Sequence, residues 1–65
     1  MKLEIEREDD GRWIAAVPAL PGVLAYGETR AKARAGAIAL ALRVIADRIE
    51  NGEPTPEEAE VLFAA

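Results

Sequence analysis

The 65-residue sequence predicts an α+β fold, an antiparallel sheet of three or four strands with one long helix packed on one face, in the order β-β-β-α-β. Three observations predict it. Residues 1–8 alternate polar and apolar with period two, residues 30–51 repeat apolar side chains at helical spacing, and turn residues punctuate the stretch between them.

In Met1–Glu8, Leu3 and Ile5 point one way and Lys2, Glu4, Glu6 and Glu8 the other, as in a strand with one wet face. Asp9-Asp10-Gly11-Arg12 follows, and Asp-Gly supplies the positive φ angles of a tight hairpin turn. The returning strand, Trp13–Val17, carries Trp13, Ala15 and Val17 on one face and Ile14 and Ala16 on the other; with both faces apolar it is expected to be central. Pro18-Ala19-Leu20-Pro21-Gly22 cannot continue a strand, because each proline lacks an N–H, and Pro21-Gly22 fits the middle of a type II turn. A short third strand is predicted over Val23–Tyr26. Gly27-Glu28-Thr29 ends it, with Thr29 as N-cap of a helix starting at Arg30. Lys32 stands where a capping-box acid would, in a first turn whose dipole disfavours a cation.

The helix is predicted over Arg30–Asn51, with Gly52 as terminator and Pro54 just beyond. At about 100° per residue, Ala31, Ala35, Ile38, Ala39, Leu42, Ile45, Ala46 and Ile49 form one stripe, expected to lie on the sheet. Lys32, Arg43, Asp47 and Glu50 form the wet side. A helix covering one sheet needs only one apolar stripe, yet Ala33, Ala37, Leu40, Ala41 and Val44 make a second. That second stripe is the expected interface of a homo-oligomer, a dimer or higher; its alternative role is to be covered by the C-terminal segment folding back. After the stiff connector Glu53-Pro54-Thr55-Pro56, residues 57–65 are ambiguous. Pro56-Glu57-Glu58 resembles a helical first turn, whereas Ala59, Val61 and Phe63 alternate with Glu60 and Leu62, which favours a fourth strand.

A single domain of this length buries only about 60% of the surface its unfolded chain exposes, and small domains usually add disulfides, a metal or a partner chain. The sequence has no cysteine and no histidine, which removes disulfides and the common zinc sites and leaves association. A net charge of -4 disfavours direct binding to nucleic acid and suits a basic protein partner. No apolar run is long enough to span a bilayer and the N-terminus alternates rather than forming a signal peptide, so a cytoplasmic location without membrane contact is expected. Serine and glutamine are absent, Asn51 is the single asparagine, and arginine outnumbers lysine, a bias that fits a thermophile or a GC-rich genome.

Catalysis is not expected. Without serine, cysteine or histidine no nucleophilic triad can be built, and Thr29 and Thr55 sit at element ends where capping accounts for them. Glu4, Glu6, Glu8, Asp9 and Asp10 could be imagined as a metal-dependent nuclease centre, but three of them share the outer face of one strand and two are turn residues; a solvated strand is the better reading. No cofactor-binding loop is present, since the glycines are scattered. Trp13 has too few aromatic neighbours and too acidic a setting for a base-stacking platform, and packing is its expected role.

Read together, Asp10-Gly11-Arg12-Trp13, Val17-Pro18-Ala19-Leu20-Pro21-Gly22-Val23, Tyr26-Gly27-Glu28-Thr29 and the alanine-rich helix resemble the HicB family of antitoxins over roughly residues 1–54. The positions that carry the resemblance are Gly11, Trp13, Pro18, Leu20, Pro21, Gly22, Gly27 and Thr29. The resemblance implies a β-β-β-α-β domain similar to a cut-down ribonuclease H fold without its catalytic acids. It further implies an antitoxin that masks a small, basic, RNA-cleaving HicA-like toxin. Two departures stand out. The sequence ends at Ala65 without the DNA-binding segment many members carry, and Arg30-Ala31-Lys32 replaces the acid common after G-x-T. A stand-alone homo-oligomeric structural protein is the alternative reading, and a minimal metal-dependent nuclease a weaker one.

Overall fold

The computed structural model describes residues 1–63. Three strands, β1 (Glu4–Arg7), β2 (Trp13–Ala16) and β3 (Leu24–Gly27), precede the long helix α1 (Arg30–Glu50) and a single helical turn, α2 (Glu57–Glu60). The sheet is antiparallel in the order β1-β2-β3, so β2 is central as both its apolar faces predict. The α+β reading and the β-β-β-α order hold.

The hairpin turn forms where expected, but only one of its residues takes a positive φ. Gly11 N–H donates to Glu8 C=O at 3.0 Å and Glu8 N–H to Arg12 C=O at 2.7 Å, while Gly11 alone takes a positive φ. This is a type I turn followed by a glycine bulge. Asp10 fastens it by accepting from the Arg12 backbone N–H at 3.0 Å and from its guanidinium at 2.7 Å. The backbone N–H first and the guanidinium second hold the Asp10 carboxyl below the usual carboxylate range.

Between β2 and β3 two turns follow back to back. Leu20 N–H donates to Val17 C=O at 2.9 Å and Val23 N–H to Leu20 C=O at 3.0 Å, with Gly22 at φ 86° in the type II position. Their effect is to turn Leu20 inward: it is 3% exposed, while Pro18 and Pro21 face solvent.

Thr29 caps α1 as expected, its hydroxyl accepting from Lys32 N–H at 3.1 Å. With no acid in the first turn, this is the only side-chain cap there among the described residues. Thr29→Ala is therefore expected to cost about 1 kcal/mol, read as a lower urea midpoint at unchanged m-value. At the other end Glu53 N–H reaches Arg48 C=O and Gly52 N–H reaches Ile49 C=O, the paired bonds of a Schellman stop.

The side of α1 that meets the sheet is the reverse of the one expected. Ala33 and Ala37 are 0% exposed, Ala41 and Ile45 8%, and all lie against the sheet or its connecting loop. From the stripe assigned to the sheet, Leu42 is 51% and Ile49 37% exposed, and only Ile45 is buried. Shape explains the exchange. The sheet presents Ala15, Ala25 and Gly27 over β2 and β3, where α1 chiefly packs, so the helix settles with its smallest side chains inward. Gly27 and Gly36 set the distance: a Cβ at 27 would lie 2.4 Å from Ala33 N, and one at 36 would lie 3.1 Å from the Ala25 Cβ. Further along, the bulkier Val17, Leu20 and Val23 meet Ala41 and Ile45, with Leu40 and Val44 packed alongside.

No fourth strand forms among the described residues. Glu57–Glu60 is helical and Val61 and Leu62 continue in a turn; residues 64–65 of the expected strand lie outside the described part. Proline before three acids at a helix N-terminus wins locally over alternation, because alternation has no sheet edge to serve here. The turn is held against the N-terminus by Ala59, which packs on the core, and by Glu58, 3.7 Å from the Met1 ammonium.

Candidate protein-binding surfaces

The five helix residues expected to form an oligomer interface do not form a free surface. Ala33, Ala37 and Ala41 are buried in the chain's own core, and Leu40 and Val44 pack half-buried on the loop cluster. The three alanines are thus taken up by the chain's own core, while Leu40 and Val44 keep part of their surface open.

Two other apolar surfaces are open instead. The first is the sheet face turned away from α1. Strand register sets Glu4 beside Ala16 and Leu24, and Glu6 beside Ile14 and Tyr26, in two cross-sheet rows. Each row runs from a carboxylate at the β1 edge to an exposed apolar side chain at the β3 edge, where Leu24 is 43% and Tyr26 49% exposed. A shallow depression lined by Glu4, Glu6, Ile14 and Ala16 lies between. At the turn end the Arg12 guanidinium stacks on Tyr26, 4.6 Å from the ring centre, and is already neutralised by Asp10. Among the described residues neither Glu4 nor Glu6 is in an ion pair, so the face is acidic along one side only.

The second surface is an open groove of about 170 Å³ between α1, the N-terminal residues and the C-terminal turn. Ile38, Leu42 and Ile45 line one wall, and Leu3, Ala59 and Leu62 the other. The apolar stripe assigned to the sheet thus borders a groove that the C-terminal turn covers only in part.

The residues that carry the family resemblance build the scaffold rather than a reactive centre. Gly11 and Gly22 make turns, Leu20 plugs the core, Gly27 admits the helix and Thr29 caps it. Trp13 is half-buried against Ala15, Ala33 and Ala37, with Arg7 6.0 Å from its ring centre. Of the five hairpin acids, Glu4 and Glu6 lie on the outer face and Asp10 is committed to Arg12. No group of three or more acids among the described residues converges as metal ligands would. No family model, curated protein or solved structure matches the chain.

Sequence reasoning missed the outer sheet face as a surface. The signal was present: Ile14 and Ala16 on β2, and Leu24 and Tyr26 on β3, are apolar on the side opposite the core set. One helix can cover one face only, so the other had to remain open.

Proposed function

We propose that this chain is a HicB-like, non-catalytic binding module of the cytosol that masks a small, basic, RNA-cleaving toxin by protein contact. One observation carries the reading. The outer sheet face joins an exposed apolar strip to a row of unpaired carboxylates, the complement of a partner that is basic around an apolar patch. A chain without serine, cysteine and histidine suits steric masking better than turnover. A helix long and apolar enough to cross a membrane is absent from the described residues, which suits a partner met in solution.

The test uses the recombinant product of the adjacent short reading frame, where that frame encodes a basic, histidine-containing protein. Its RNA cleavage is expected to fall to background at one equivalent of this chain. Charge reversal in a Glu4→Lys/Glu6→Lys double variant is expected to weaken inhibition on the order of tenfold or more, chiefly through slower association. Cleavage that persists in an excess of folded chain rejects the reading, as does a neighbouring frame that encodes no such protein. A stand-alone homo-oligomer is the second reading, favoured by a feature of β3.

A further inference from the structure

The two edges of the sheet are built differently. β1 carries Glu4, Glu6 and Arg7, and Met1 just before it is tied to the C-terminal turn through Glu58. Charged side chains of this kind keep an edge strand from pairing with another chain. β3 reads Leu24-Ala25-Tyr26-Gly27, with no charge and no proline.

The hydrogen-bond phase of β3 follows from its register. Val17 N–H donates to Val23 C=O, and paired residues alternate between bonded and non-bonded along an antiparallel ladder. Two residues on, Ala25 therefore directs its N–H and C=O to Ala15, and Leu24 and Tyr26 direct theirs away from the sheet. We infer that this chain forms a dimer by antiparallel pairing of β3 with β3 of a second copy about a two-fold axis at Ala25, giving one continuous sheet across both copies; the inference is independent of the toxin reading. In that register Leu24 faces Tyr26 of the second copy and Tyr26 faces its Leu24. Both are bonded pairs, so all four outward N–H groups meet a carbonyl.

The side chains agree on both faces. On the outer face the pairs are aliphatic on aromatic, a favourable cross-strand combination. On the inner face Ala25 and, above it, Gly36 stand at the axis, and neither carries more than a methyl group. The same operation on β1 about Ile5 would set Glu4 against Glu6, like charge on like.

Sedimentation equilibrium of the full chain from micromolar to millimolar concentration tests this, together with amide exchange. The dimer mass is expected, with the Leu24 and Tyr26 amides protected although the described residues of the single chain give them no acceptor. Leu24→Lys adds an edge charge at an already exposed site, and Tyr26→Pro removes an N–H the monomer leaves unused. Each is expected to raise the dissociation constant on the order of tenfold or more with an unchanged circular dichroism spectrum; Glu6→Lys is expected to leave it in place. A monomer throughout, fast exchange at Leu24 and Tyr26, or a dimer indifferent to Leu24→Lys overturns the inference. A dimer lost to Leu42→Lys instead assigns association to the groove and overturns it equally.

Discussion

Gly27→Ala is expected to remove a large part of the folding free energy. The added methyl would fall 2.4 Å from the Ala33 nitrogen and 2.9 Å from its Cα, and both are backbone atoms of the first turns of α1. A side chain could rotate out of the way; a helix must move as a body. Overpacking costs typically about 1–3 kcal/mol and sometimes more, and a backbone obstacle places this case at or above the top of that range. For a chain of 65 residues, a total stability of roughly 3–10 kcal/mol follows from 0.05–0.15 kcal/mol per residue. Thermal melts at fixed protein concentration are expected to show a loss of about 15 °C or outright unfolding, since about 1 kcal/mol shifts Tm by 4–8 °C in a domain this small. A melt within a few degrees of the parent would show that α1 does not sit where Gly27 places it. Gly36→Ala is the companion measurement. Its methyl meets the Ala25 methyl at 3.1 Å, a contact that can relax by a few tenths of an ångström. The gain in helix propensity of about 1 kcal/mol offsets that crowding, and a change near zero is expected.

Leu20→Ala is expected to cost about 3 kcal/mol, within the range of roughly 2–5 kcal/mol for a large buried aliphatic. Leu20 is 3% exposed and is inserted by two consecutive turns among Val17, Val23, Ala41 and Ile45. That cluster is the half of the core built from branched side chains; the other half is Ala15, Ala33 and Ala37. Its loss cannot be repaired by collapse, because the turns hold the loop open on either side. In urea the midpoint is expected to fall at constant m-value. Pro21→Ala, two atoms of ring fewer on an exposed residue of the same loop, is expected to cost under about 1 kcal/mol, mostly through the unfolded chain. Equal effects at 20 and 21 would mean that loop rigidity, not the buried leucine, stabilises the domain.

Local order was legible in the residues themselves. Alternation marks β1, Asp10-Gly11 the first reversal, Pro21-Gly22 the second, and Thr29 and Gly52 bracket α1 within a residue or two. Such features depend on φ preferences, missing N–H groups and side-chain caps within a few residues, so sequence alone carries them. The bulge at Gly11 escaped because Asp10-Gly11 is compatible with more than one hairpin loop, and the choice is made by the pairing of the strands it joins.

What the chain's own residues determined was therefore the order of the first four elements, the antiparallel arrangement, and an inventory without serine, cysteine or histidine. Tertiary structure alone decided which apolar stripe of α1 is inside and which surfaces remain open. Two stripes of one helix differ little in hydrophobicity; they differ in width. Dispersion and burial reward the stripe that fits a sheet of alanines and glycine, and fit is a property of two surfaces together, absent from either segment read by itself.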